Sequence, residues 1–115
     1  MSVHAVRRRL ISRGDLPGSN GGIYNPGALV SGDRVFLLCR REVDYRFRNE
    51  LVFPELVILD RDSLDIVDHR TLHKVGFAHD TRVEDFRCIE FDGMRLAVHS
   101  AVTAARIKPV ISRMF

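Results

Sequence analysis

A repeat constrains this chain more than any other feature. When the 115-residue sequence is slid by 60 positions, its second part falls on its first. Asn25-Pro26 lands on Asp85-Phe86, Ala28-Leu29-Val30 on Cys88-Ile89-Glu90, and Val35 to Leu38 on Arg95 to Val98. Gly32-Asp33 lands on Asp92-Gly93, so both copies carry a hairpin-turn signal at the same place. Each hairpin is followed by a proline-led run, opened by Pro54 in the first copy and Pro109 in the second. Units repeated at a fixed spacing stack on one another, because one such unit cannot bury its apolar face alone.

The repeated unit reads as β. Apolar runs occupy Gly27 to Val30, Val35 to Cys39, Leu56 to Leu59, Ile66 to Leu72, Val83 to Phe91, Met94 to Val102 and Ile107 to Phe115, with polar turns between them. No stretch keeps a 3.6-residue period over three turns, so the expectation is an all-β chain. Four short antiparallel strands per unit is the layout of a β-propeller blade. Residues 1–23 then read as a lead-in segment, a loop or a closing strand. Residues 24–81 form the first blade with its connector, and 82–115 a partial second blade. A closed propeller takes about 4 to 8 blades. The chain is therefore expected to be an incomplete piece, about one and three-quarter blades of a larger ring. Its open strand edges would invite self-association.

Composition narrows the class. The chain is 45% hydrophobic and 29% charged, an ordinary globular balance. No apolar run approaches the roughly 20 residues of a membrane helix. The basic start (Arg7, Arg8, Arg9) lacks the apolar core of a secretory signal. The net charge of +3 permits an anionic ligand without requiring one. Cys39 and Cys88 sit inside apolar strands and read as buried free thiols, which suits a reducing cytoplasm.

The chemistry-bearing stretch is Arg82-Val83-Glu84-Asp85-Phe86-Arg87, where two adjacent carboxylates enter an apolar strand. Burying charge needs a partner, so Asp85 is either paired with Arg87 or Arg82, or part of a site. Strict alternation puts Asp85 and Arg87 on one face and Glu84 and Phe86 on the other. The repeat gives Asn25 the place of Asp85 in the first unit. If first strands line the propeller channel, Asn25 and Asp85 stand side by side at its mouth. Arg40 to Asn49 is a charged insert in which Tyr45 and Phe47 alternate with Arg46 and Arg48. Such a segment stacks on sugars or on bases. Nothing else in the chain matches a nucleic-acid module, so nucleic acid is not an expected partner. His69 and His73 are four apart, but on a strand that spacing suits an edge rather than a metal.

Several of these segments carry a family resemblance. Tyr24-Asn25-Pro26-Gly27-Ala28, then Val35-Phe36-Leu37-Leu38-Cys39-Arg40, then Glu84-Asp85-Phe86-Arg87 resemble the start of the five-bladed propeller glycosidases. The resemblance is to glycoside hydrolase family 130, the mannosyl phosphorylases and related mannosidases. Asp15-Leu16-Pro17 is similar too, while Phe86 stands where that family has proline and Cys39 where it has tyrosine. The resemblance implies inverting cleavage of a β-mannoside, with Asp85 as the general acid. Asn25 and Arg40 would hold the sugar, Arg46 would be a second arginine contact, and Glu84 and Arg87, on either side of the acid, complete the expected substrate-binding set. It implies no cofactor, with inorganic phosphate as a co-substrate if the protein is a phosphorylase. The family's phosphate-binding residues and the second carboxylate of a hydrolase fall in later blades. The alternative is a non-catalytic propeller piece that binds carbohydrate or protein, or that has no activity alone.

Overall fold

A computed structural model of the chain describes residues 10–11, 15, 21–43, 48–74 and 76–114. They form seven strands: β1 (Ile23–Ser31), β2 (Arg34–Glu42), β3 (Val52–Asp60), β4 (Ile66–Thr71), β5 (Arg82–Phe91), β6 (Met94–Val102) and β7 (Ile107–Arg113). One 3-10 turn, Asn49–Leu51, precedes β3, and no α-helix occurs among the described residues. The strands make two antiparallel sheets, a four-stranded one in the order β1-β2-β3-β4 and a three-stranded one in the order β5-β6-β7.

Turn chemistry sets the two leading hairpins. Asp92 and Gly93 both have positive φ, 49° and 72°, as a two-residue I′ turn requires. In the first hairpin Gly32 takes φ 59° at the leading turn position, a region that glycine enters at no steric cost.

The repeat extends to the register. Tyr24 faces Arg40 and Gly27 faces Leu38; 60 residues on, Glu84 faces Ser100 and Arg87 faces Val98. Arg40 faces Pro54 and Ser100 faces Pro109, so the third strands correspond with a shift of 55. The difference lies in the connections, which run over nine residues (43–51) in the first unit and four (103–106) in the second.

The two sheets stack face to face. Phe36, Leu38 and Leu56 of the first meet Val83, Phe86, Ala97 and Met114 of the second in one buried cluster. Leu37, Cys39, Val57 and Leu59 form a second cluster on the far face of the first sheet, where Leu10 and Ile11 pack on it. Burial pushes the Cys39 thiol up to about 12, helped by the nearby Glu55 carboxylate and by Cys88. The thiol thus stays protonated and inert, and both cysteines are free.

β1 and β5 lie alongside each other without sharing a ladder. Gly27 permits this. A Cβ there would stand 2.7 Å from the Phe86 carbonyl oxygen and 2.9 Å from Cys88 Sγ. Gly27→Val is expected to force the sheets apart and lower stability by about 2 kcal/mol, read as a lower urea midpoint.

His99 adds a pH dependence. It is buried between Phe77 and Phe86, with Nε2 2.8 Å from Ser112 Oγ. Burial holds its pKa below the usual value. The unfolded chain therefore takes up this proton first as pH falls. The stabilisation is complete above about pH 6.5 and is lost as pH drops through the folded value. Urea midpoints at pH 7 and pH 5 should differ more in the wild type than in His99→Gln.

Candidate functional site

The site is made by two β-bulges. In each unit the first strand inserts an extra residue, between Tyr24 and Gly27 in β1 and between Glu84 and Arg87 in β5. Asn25 and Asp85 sit in these bulges with left-handed backbones, φ 47° and 58°. Asparagine and aspartate tolerate that region better than other side chains. A bulge re-aims a side chain out of the ladder and is enriched beside active sites. Here both side chains are exposed and turn toward each other, with Asn25 Nδ2 3.5 Å from Asp85 Oδ1. That is the outer limit of a hydrogen bond, and one ligand hydroxyl could meet both groups.

The bulge corrects the strict alternation expected for β5. Two residues, Asp85 and Phe86, oppose one on β6, so the faces reset after them. Phe86 is buried between the sheets, and Glu84, Arg87 and Ile89 line up with Ser100, Val98 and Leu96 on the other face. Asp85 and Arg87 are not same-face neighbours. Arg87 Nη1 instead donates to the Phe86 carbonyl at 2.9 Å. Among the described residues no arginine forms an ion pair with Asp85.

Glu84 is the structural acid of the pair. Arg40 Nη1 reaches its Oε2 at 2.7 Å, and Arg82 Nε reaches the same oxygen at 2.9 Å. Arg82 Nη2 also donates to Glu84 Oε1 at 3.1 Å. Arg40 is shared further with Glu42 at 3.3 Å and lies over the Tyr24 ring at 5.0 Å. This cluster ties β2 to β5 at the residue that precedes Asp85 in the chain. It also removes Glu84 as an unopposed like charge beside Asp85, since two guanidinium groups neutralise it. Arg46, Tyr45 and Phe47 lie outside the described residues.

A second polar cluster was not legible in the sequence. Glu55 on β3 is wholly buried, and it meets Arg41 on β2 (Nη1 to Oε2, 3.3 Å) and His69 on β4 (Nδ1 to Oε1, 3.0 Å). Thr71 Oγ1 donates to Glu55 Oε2 at 2.5 Å, and Arg41 Nη1 donates to Thr71 Oγ1 at 3.1 Å. The four residues staple three adjacent strands together. This explains His69 without a metal, and among the described residues no group of His, Cys, Asp and Glu could hold one. A carboxylate inside the run Pro54-Glu55-Leu56-Val57 was the only available signal.

A cavity of about 370 Å³ opens between the sheets, lined by Leu38, Leu72, Phe77, Phe86, His99 and Met114 among others. It lies under Phe86, whereas Asn25 and Asp85 face outward, so the candidate site is an open rim rather than a closed pocket. No helix among the described residues is long and apolar enough to cross a membrane.

The fold and rim define an all-β chain of two stacked antiparallel sheets with a bulged Asn–Asp pair at one edge. No protein-family model, curated protein or solved structure matches the chain.

Proposed function

We propose that the two sheets are neighbouring blades of a glycan-active β-propeller, the second represented by three of its strands. Asn25 and Asp85 then stand at the channel mouth and handle a β-mannoside. The observation that supports this most is the pairing of the two bulges. Equivalent positions of the repeat carry an amide and a carboxylate in the same left-handed backbone, their polar atoms 3.5 Å apart. A left-handed backbone repeated at two equivalent positions favours a functional rim over a plain strand.

In this reading Asp85 acts as the general acid and delivers a proton through a sugar hydroxyl to the glycosidic oxygen. Phosphate or water attacks the anomeric carbon from the opposite face, with inversion. Asn25 orients the sugar. Arg40 and Arg82 hold Glu84 in place, so Glu84 positions the rim rather than donating a proton.

The test is incubation with β-mannosides with and without inorganic phosphate. Phosphate-dependent mannose 1-phosphate indicates a phosphorylase, and free mannose without phosphate a hydrolase. No release under either condition sinks catalysis by this chain. The exposure of Asp85 favours a second reading, in which the same rim binds carbohydrate without cleaving it. Saturable mannoside binding without product would decide for that reading.

A further inference from the structure

One polar pair sits where the first sheet has apolar side chains. Leu37 faces Val57 in the first sheet, and Ala97 faces Ser112 in the second, so Ser112 takes the place of Val57. His99, two residues on from Ala97, takes the place of Cys39. Cys39 and Val57 are 1% and 0% exposed and belong to an apolar cluster. Their counterparts in the second sheet are joined to each other, His99 Nε2 lying 2.8 Å from Ser112 Oγ. The first sheet shows that the repeated unit needs no such pair in order to pack, and burying an imidazole carries a desolvation cost.

The pair has the polarity of a nucleophile and its base. His99 Nδ1 lies 3.4 Å from the Ser100 carbonyl oxygen, which can only accept, so the neutral ring carries its proton on Nδ1. Nε2 is then the acceptor, and the Ser112 hydroxyl donates to it. Phe77 and Phe86 hold the ring from two sides, their centroids 5.8 and 5.6 Å away. Burial keeps the imidazole pKa below its usual value, so the ring is neutral at pH 7 and able to take a proton. Ser112 and His99 both line the cavity of about 370 Å³ between the sheets, whose walls include Leu38, Leu72 and Met114. A cavity of that size and lining takes a small, mostly apolar molecule. Lys74 lines it as well, and among the described residues no Asp or Glu does.

We propose that Ser112 and His99 form an acyl-transfer centre that hydrolyses small apolar carboxylic esters. Ser112 Oγ attacks the ester carbonyl carbon as its proton passes to His99 Nε2. The ester C–O bond breaks, the leaving alcohol takes that proton from Nε2, and the acyl group stays on Ser112 Oγ. A water molecule then attacks the acyl carbon and gives a proton to Nε2. Nε2 returns it to Ser112 Oγ as the carboxylic acid leaves. The Lys74 charge favours the negative charge that develops on the carbonyl oxygen. Neither Asn25 nor Asp85 takes part, so this proposal and the mannoside proposal fail separately.

The test uses the whole chain, p-nitrophenyl butyrate as substrate and diisopropyl fluorophosphate as a serine-directed probe. The wild type should release p-nitrophenol in a saturable reaction and gain one phosphoryl adduct, mapped by peptide mass to Ser112. Excess p-nitrophenyl butyrate should slow the labelling. Both readouts use the wild type alone, so they hold even if a variant folds poorly. Ser112→Ala should abolish the adduct and the ester cleavage. His99→Gln should slow both by at least about 100-fold, the usual contribution of a general base. No adduct on Ser112 overturns the proposal, and so does labelling that the ester does not slow. An adduct without ester turnover overturns it too, as does equally fast labelling in folded His99→Gln. Ester cleavage that survives Ser112→Ala, or unfolding in urea, belongs to surface amines and imidazoles and likewise overturns it.

Discussion

Glu55→Ala is expected to destabilise the protein by about 3–5 kcal/mol, a large part of the roughly 5–15 kcal/mol that holds an ordinary domain together. The substitution removes a buried carboxylate that Arg41, His69 and Thr71 share, without removing those three side chains. Arg41, itself buried, loses its ion pair, and Thr71 and His69 lose their acceptor. The loss exceeds that of a surface ion pair because the guanidinium and the carboxylate are both buried. Two companions separate the causes. Glu55→Gln keeps acceptor oxygen but not charge and should lose less. Arg41→Met combined with Glu55→Leu removes both charges and should recover most of the urea midpoint, because apolar replacement of a whole buried pair is often neutral. A double variant as unstable as Glu55→Ala would show that packing, not charge, explains the loss.

Asp85→Asn is expected to lower mannoside turnover by about 10²–10⁴-fold, the usual contribution of a general acid. Asparagine is the informative replacement because Asp85 has φ 58°. Asparagine accepts that backbone, whereas alanine adds roughly 1–2 kcal/mol of left-handed strain and confuses folding with chemistry. The urea midpoint should therefore stay near that of the wild type while product formation falls. Equal turnover in both proteins would remove Asp85 from the mechanism. Asn25→Asp offers a complementary check. It places two carboxylates where the amide and acid now stand 3.5 Å apart, and should weaken mannoside binding.

The bulges show why a correct strand assignment still misplaced side chains. Period-2 alternation is a property of an unbroken ladder. One inserted residue at Asp85-Phe86 moves Phe86 into the core and separates Asp85 from Arg87. The only local mark of that insertion is the residue type, Asn or Asp, at a position that adopts positive φ. Glu84 and Glu55 show the same limit for charge. Each meets an arginine distant in the chain, Arg40 of the other sheet for Glu84 and Arg41 of the adjacent strand for Glu55, which no local pattern pairs with them.

Alternation and turn chemistry act over a few residues, so the seven strands, the hairpin turns and the 60-residue correspondence were legible in the residues alone. The same correspondence singled out Asn25 and Asp85 as equivalent positions. That their side chains meet, that Glu84 is held by two arginines, and which apolar face is buried emerge from the folded sheets. Those outcomes depend on how one sheet stacks on another. That stacking is set by long-range contacts such as Gly27 against Phe86, which have no signature in the residues on either side.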